Sequence, residues 1–213
     1  MKYSVSAIVL GFFAALNTAA PAPAAEPQFP SGGDVVITGV TYAGSGCKAG
    51  TASISHSPDW TTFTILFDSY EATIGPGAKF SDQVKNCNLN FQVKYPPGFQ
   101  YTLYKNDYTG YALLEPGVTA KQTSSYWFAG FVNDKPTFQS TWKGPYNSDY
   151  TFTDTLASLV FSPCGTQTTL NINTQLVLTS TNPKAQGLIN TQSIDTKTIN
   201  PFKHVYGVQW RKC

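Results

Sequence analysis

The chain has 213 residues, of which 41% are hydrophobic, 14% are aromatic and only 12% are charged. Its formal net charge is +2, and arginine occurs once among the 14 basic residues, so the sequence lacks the clustered Lys and Arg side chains that bind nucleic-acid phosphates. We therefore exclude nucleic acid as a partner.

The first predicted element is a secretory signal peptide over residues 1–25. Lys2 precedes an apolar run over residues 7–16, and Ala22-Pro23-Ala24 then supplies the small residues of a cleavage site. The apolar run is shorter than the ~20 residues that a transmembrane helix needs, which argues against a membrane anchor. We expect a flexible N-terminal arm over residues 26–33 and one domain over residues 34–213.

Strict alternation of apolar and polar residues predicts β-strands along the remaining chain. The clearest strand covers residues 86–95, where Cys87 shares the apolar face and Asn88 the polar face. Pro97-Gly98 ends this strand and predicts a hairpin to the next one. Further strands are predicted at residues 34–42, 51–56, 61–68, 99–104, 111–114, 119–131, 158–161, 168–180 and 205–213.

The turn signals between these strands predict long polar loops at residues 68–79, 134–149 and 182–201. A further turn is predicted at residues 107–110. Since no segment shows a sustained helical period, the pattern predicts an all-β fold. We expect a single-domain antiparallel β-sandwich, similar to a jelly roll, with long loops.

The four cysteines are Cys47, Cys87, Cys164 and Cys213. An even number in an exported chain predicts two disulfides, for which three pairings are open. We favour Cys47–Cys87 and Cys164–Cys213, which join neighbours in the sequence. A metal site is the alternative, but no two cysteines have the spacing of a ligand pair and neither histidine lies near one.

Asp68 and Glu71 form the best candidate carboxylate pair. Such a pair can act as acid and base on a glycosidic bond, or can bind calcium together with the carbonyls of residues 74–77. The interpretation we favour is a solvated turn without a bound ion. Calcium is the only cofactor that we consider for this chain. Because the chain has two histidines and no G-x-S-x-G or H-E-x-x-H motif, we expect no catalytic residues.

Aromatic residues provide the second candidate site. Trp142 and Tyr146 fall in a predicted loop, where aromatic side chains anchor protein or sugar ligands as readily as they pack. Trp127 and Trp210 fall in predicted strands, and we expect both to pack in the core or against a disulfide. The asparagine-rich rows at residues 86–92 and 171–175 can contact sugar hydroxyls, although we favour an ordinary solvated sheet face.

Nine short motifs, including all four cysteines, occur in an order that resembles a known family: residues 45–51 (SGCKAGT), 67–70 (FDSY), 75–77 (GPG), 86–90 (NCNLN), 97–100 (PGFQ), 107–111 (DYTGY), 144–145 (GP), 162–165 (SPCG) and 210–213 (WRKC). The family is the secreted protein family known as domain of unknown function 4360, found mainly in filamentous fungi and some bacteria. The resemblance covers residues 34–213, with Lys48 where a proline is usual. It implies secretion, two disulfides and a β-rich domain, and no established activity.

The leading expectation is a secreted, non-enzymatic and monomeric binding protein, such as a fungal effector or virulence factor that engages a host extracellular protein. One alternative is a polysaccharide-binding or weakly carbohydrate-active wall protein that uses Trp142, Tyr146, Asp68 and Glu71. The other is a structural cell-wall protein. All three place the chain outside the cell, in the wall or the apoplast, and none involves a membrane.

Overall fold

The computed structural model describes residues 29–165, 167–190 and 202–213. The predicted signal peptide lies outside the described residues. The described part contains a three-residue 3-10 helix (Gly32–Asp34), one four-residue α-helix, α1 (Phe80–Gln83), and no helix with the length and apolarity to cross a membrane. Its strands are β1 (Val36–Ala43), β2 (Ala52–His56), β3 (Thr62–Phe67), β4 (Ala72–Ile74), β5 (Val84–Lys94), β6 (Phe99–Leu114), β7 (Val118–Phe128), β8 (Thr137–Lys143), β9 (Tyr146–Thr155), β10 (Thr168–Ser180), β11 (Gly187–Asn190) and β12 (Phe202–Lys212).

These strands form two antiparallel sheets, as the sequence predicts. Sheet A has the order β1-β5-β10-β7-β8. Sheet B has the order β2-β3-β12-β6-β11-β4, and β9 pairs with the other edge of β6. The strand β12 pairs with β6 as far as Thr109, and β11 continues along the same edge from Tyr111. The long strand β6 is therefore the central strand of sheet B.

The two sheets pack face to face through their alternating apolar side chains. Leu89 and Phe91 on β5 are buried, and the Phe91 ring lies 5.5 Å from Phe63 of sheet B. Tyr101 on β6 reaches Phe128 on β7, with ring centroids 5.2 Å apart. Burial of each such side chain stabilises the fold by roughly 1.5–3 kcal/mol, so the sandwich core carries most of the stability.

Two disulfides close the sandwich at its ends. Cys47 and Cys87 are fully buried and join the β1–β2 loop to β5, with a Cα–Cα distance of 5.4 Å. Cys164 and Cys213 join the β9–β10 loop to the residue after β12, with a Cα–Cα distance of 5.9 Å. In the chain-entropy model, loops of this size stabilise by about 4 kcal/mol each.

The predicted hairpin between residues 86–95 and 99–104 is wrong. The first strand, β5, pairs with β1 and β10 in sheet A, whereas β6 belongs to sheet B. The turn at Pro97-Gly98, where Gly98 has a positive φ of 83°, therefore carries the chain from one sheet to the other. A local turn signal cannot distinguish a hairpin from such a crossing.

Strands also occupy one predicted turn and all three predicted loops, and β4 lies in the predicted loop 68–79. The predicted turn at residues 107–110 lies inside β6, because both edges of that strand pair with neighbours and hold it extended. The predicted loop at residues 134–149 contains β8 and the start of β9, joined at Gly144-Pro145. Conversely, the apolar segment 158–161 is not a strand, and β11 lies in the predicted loop 182–201.

Candidate functional site

The predicted carboxylate pair lies in the segment between β3 and β4. Asp68 and Glu71 are exposed and flank Tyr70, which is fully buried. The backbone N–H of Asp68 donates to the carbonyl of Thr51 at 3.0 Å, so this segment is fixed to the start of β2. Within the described residues, no group of three His, Cys, Asp or Glu side chains is suited to hold a metal ion. Calcium binding by this segment stays a prediction.

Trp142 lies on the inner side of β8 and not in a loop. Its ring packs at a tilt against Tyr150 and Phe152 of β9, with centroid distances of 5.0 and 4.8 Å. The side chain is half-buried, and its indole nitrogen faces the interior. Trp142 therefore joins the edge of sheet A to the edge of sheet B.

Tyr146 begins β9 and lines an open depression of about 400 Å³ at the sheet edge. Pro145, Asn147 and Glu115 line the same depression. The Tyr146 hydroxyl donates to the carbonyl of Asp149 at 3.1 Å. Partial burial, with a smaller effect of the Asp149 charge, raises the pKa of Tyr146 above its usual value. This hydroxyl is neutral near pH 7 and can donate or accept hydrogen bonds.

The carboxylates and the aromatic residues do not share one patch. The register connects Ile74 of β4 to Gly187, then to Leu114, then to Tyr146. Three strand spacings of ~4.8 Å separate β4 from β9 by about 14 Å. Asp68 and Glu71 lie before β4, at the margin of sheet B opposite to the Tyr146 depression, so the four predicted residues form two separate surfaces.

The solvent-facing side of sheet A is rich in amides and hydroxyls, and we call it the amide face. It consists of the outward side chains of five adjacent strands: Thr41 on β1; Asn86, Asn88, Asn90, Gln92 and Lys94 on β5; Thr169, Asn171, Asn173 and Gln175 on β10; Thr119, Lys121, Thr123, Ser125 and Trp127 on β7; and Thr137, Gln139, Thr141 and Lys143 on β8.

Trp127 is the aromatic residue of the amide face. It alternates with the buried Tyr126 and Phe128 and therefore projects outward, so its predicted place in the core is wrong. Trp210, by contrast, is buried as predicted. The Lys135 ammonium lies 4.6 Å from the centre of the Trp127 ring, close enough for a cation–π contact that orients the ring.

The asparagines beside Trp127 are hydrogen-bonded to one another across the strands. The Asn90 amide nitrogen donates to the side-chain oxygen of Asn171, and the Asn171 amide nitrogen donates to the carbonyl of Trp127 at 3.4 Å. In the next row, Asn173 donates to the side-chain oxygen of Asn88. An asparagine amide has two donor hydrogens and an acceptor oxygen, so these bonds fix the side chains and leave capacity for a ligand.

The model of the family described as Domain of unknown function (DUF4360) matches residues 33–213. The chain belongs to this family. A protein of Arthroderma benhamiae, named as an uncharacterized secreted protein, is 44% identical over 186 residues, which are 86% of this DUF4360 chain and 74% of that protein. Both findings agree with the resemblance that the motifs indicate.

Among solved structures, this DUF4360 chain is similar to TmCBM61 in complex with β-1,4-galactotriose, with a TM-score of 0.29, 9% identity, and coverage of 83% of this chain and 90% of that one. It is also similar to a family 11 carbohydrate-binding module from Clostridium thermocellum in complex with a mixed-linked tetrasaccharide. There the TM-score is 0.20 and the identity 8%, with coverage of 80% and 88%. Such low TM-scores carry no argument about function.

The sequence of this DUF4360 chain is sufficient to predict that Trp127 lies on the outer side of its strand. Trp127 has the same parity as Ser125 and Thr123, and the opposite parity to Tyr126 and Phe128. This alternation predicts an outward tryptophan. What the sequence does not supply is the strand order, which brings Trp127 beside Asn171 and Asn90 from remote parts of the chain.

Proposed function

We propose that this protein is a secreted, non-enzymatic binding protein that holds an extracellular polysaccharide on its amide face. The observation that carries this proposal is the row formed by Trp127, Asn171 and Asn90, in which an outward indole ring lies beside amides fixed by mutual hydrogen bonds. Secretion is supported by the secreted relative and by the two disulfides, which persist in oxidising compartments.

The chemistry of this row suits a sugar. A pyranose ring has an apolar face of C–H groups and a rim of hydroxyls. Trp127 offers a large and rigid apolar surface at low entropic expense, and the amides of Asn171 and Asn90 offer both donors and acceptors for the rim. Because these side chains are already fixed, binding loses little conformational freedom.

The same face lacks the groups that cleavage requires. Glycoside hydrolysis uses a pair of carboxyl groups on either side of the scissile bond. The outward strand residues of sheet A include no Asp, Glu or His, and the exposed pair Asp68 and Glu71 lies on sheet B's side of the molecule. A polysaccharide on the amide face is therefore bound and not hydrolysed.

Cosedimentation with insoluble chitin, glucan and pectin tests this proposal. We expect Trp127→Ala to weaken binding roughly tenfold, which is equivalent to about 1.4 kcal/mol. Tyr104→Ala is the matched control, since Tyr104 is an exposed aromatic residue on sheet B, and it should bind like the wild type. The proposal fails if the folded wild type binds none of these polymers, or if both variants bind as the wild type does.

The Tyr146 depression is the alternative place for the polysaccharide. It combines a tyrosine ring with Asn147, whose side-chain oxygen accepts a 2.6 Å hydrogen bond from Tyr111. In the same assay, loss of binding by Tyr146→Ala with full binding by Trp127→Ala would move the site to this depression.

A protein partner is the second candidate function, and one observation favours it. Phe131 and Val132, in the β7–β8 loop beside the amide face, are 46% and 57% exposed. Exposed apolar side chains of this kind anchor protein interfaces. An effector that engages a host extracellular protein should lose that protein in a pull-down from apoplastic fluid when Phe131 and Val132 are both changed to Ser, and should retain it with Trp127→Ala.

A further inference from the structure

We propose that the ligand of the amide face is an acidic polysaccharide, a chain of uronic acid sugars that carry carboxylates. This inference rests on the proposed function and adds the chemical class of the ligand. It is carried by the distribution of charge over the two outer faces of the sandwich.

The amide face has lysines and no carboxylates. Lys94, Lys121 and Lys143 project outward from β5, β7 and β8, and Lys135 lies over the Trp127 ring. The ion pairs formed among the described residues involve other lysines, Lys85 with Asp82 and Lys105 with Asp107. The three strand lysines therefore present positive charge to a ligand on this face, while Lys135 follows the exposed Asp134 in the β7–β8 loop.

The outer face of sheet B carries charges of both signs. Asp107 on β6 and Asp149 on β9 project from it, together with Lys105 on β6 and Lys203 on β12. The Asp107 carboxylate forms an ion pair with Lys105, whose Nζ lies 2.9 Å away. It also accepts a hydrogen bond from the Thr153 hydroxyl at 2.6 Å. Since the strands of the amide face carry lysines without carboxylates, whereas carboxylates accompany the lysines on the reverse face, an anionic chain is attracted more strongly to the amide face.

The lysines are placed for an extended ligand. Trp127 and Lys135 mark one end of β7, and Lys121 lies six residues away on the same strand, a distance of about 20 Å. Lys143 is near Lys121, because Lys121 pairs with Thr141 and Lys143 pairs with Thr119. A sugar stacked on Trp127 can thus continue over Thr123 and Ser125 to a second cationic region.

The attraction between a carboxylate and an exposed lysine is screened by salt, so binding of an acidic chain must depend on ionic strength. A neutral chain held by stacking and hydrogen bonds has no such dependence. Methyl esterification removes the charge of a polyuronate and leaves its sugar backbone unchanged. Polygalacturonate and its methyl ester are therefore a matched pair of ligands.

The experiment measures the affinity of the full mature protein for both polymers at about 20 mM and about 300 mM NaCl, which changes the screening length severalfold. We expect the wild type to bind polygalacturonate at least tenfold more tightly than its methyl ester at low salt, and to lose most of that preference at high salt. Lys121→Ala with Lys143→Ala should weaken binding of polygalacturonate about tenfold and flatten its salt dependence.

Lys48→Ala with Lys184→Ala is the control, because it removes the same charge from exposed loop positions outside the strands of the amide face. Equal losses in the two double variants would overturn the proposal, since net charge alone would then explain binding. Equal affinity for both polymers, with loss on Trp127→Ala, would overturn the acidic ligand and leave the polysaccharide-binding function intact. Binding of neither polymer, nor of the insoluble polysaccharides, would overturn both. Melting temperatures confirm that each variant is folded.

Discussion

At the scale of single residues, His204 is a buried polar side chain whose two ring nitrogens are both hydrogen-bonded inside the sandwich. It is fully buried on β12, where Gln122 donates to its Nε2 at 2.8 Å and its Nδ1–H donates to Tyr206 at 3.0 Å. The Tyr206 hydroxyl continues to Ser124 at 2.6 Å. This chain of bonds joins sheet B to sheet A. Burial disfavours the charged imidazolium and lowers the pKa of His204 to about 3.

This burial predicts how stability depends on pH. The unfolded chain takes up the His204 proton near pH 6.5, whereas the folded chain takes it up only near pH 3. The contribution of His204 to the free energy of unfolding is therefore fully present above pH 6.5. It is lost as the pH falls from 6.5 toward 3, at up to about 1.4 kcal/mol per pH unit. Denaturant unfolding at pH 7, 5 and 4 measures this slope.

The matching variant is His204→Gln, which has no ionisable group and should show a shallower slope over the same range. His56→Gln, which removes the chain's other histidine from the exposed end of β2, is the control and should keep the wild-type slope. An unchanged slope in His204→Gln would show that His204 is not the group that takes up the proton.

Gly46 tests the packing around the first disulfide. A Cβ atom at this position would lie 2.1 Å from the Tyr70 ring. That ring cannot move away easily, because Tyr70 is fully buried and its hydroxyl donates to the carbonyls of Thr174 and Lys85. We expect Gly46→Ala to lower the free energy of unfolding by about 1–3 kcal/mol. Gly33→Ala, with open space at its Cβ, should leave it unchanged.

At the scale of elements, the β8–β9 unit closes the edge of the sandwich. The chain leaves sheet A at Lys143 and enters sheet B at Tyr146, and the two strands remain in contact across the edge. Ser140 of β8 donates to the carboxylate of Asp154 on β9 at 3.0 Å, and Trp142 packs on Tyr150. The β8 edge of sheet A and the β9 edge of sheet B are thus covered by side chains.

Trp142→Ala separates a packing role from a binding role. Loss of a half-buried ring that contacts two others should lower the free energy of unfolding by about 2–3 kcal/mol, while Trp142→Phe retains most of it. Chemical denaturation measures this change, and cosedimentation measures binding in parallel. Unchanged stability with weakened polysaccharide binding would instead support the sequence-based prediction that Trp142 contacts the ligand.

Sequence alternation located the elements better than it located their neighbours. The periods of β5 and β10 were readable because each strand buries one face and exposes the other. The strands β8 and β9 were hidden because polar and turn-forming residues dominate their sequence, and their pairing partners β7 and β6 stabilise them. The separation of Asp68 from Trp142 also depends on strand order, which local patterns do not encode.

At the scale of the whole molecule, the two sheets have different surfaces on a shared core. The reverse of the sandwich carries Asp107 and Asp149, and the amide face carries Trp127 among amides, hydroxyls and lysines. A polar outer side is ordinary for a solvated sheet, but an outward tryptophan among asparagines that are hydrogen-bonded to one another needs another cause. Ligand binding is the cause that we propose, with the strands as a rigid support.

The most direct test of this account is an NMR titration of the ¹⁵N-labelled protein with soluble oligosaccharides of the polymer that it binds. The account predicts shifts of the Trp127 indole signal and of the side-chain amide signals of Asn88, Asn90, Asn171 and Asn173, with the Trp142 indole and the residues of sheet B unaffected. Saturable shifts confined to sheet B, to the Tyr146 depression or to the β7–β8 loop would contradict it.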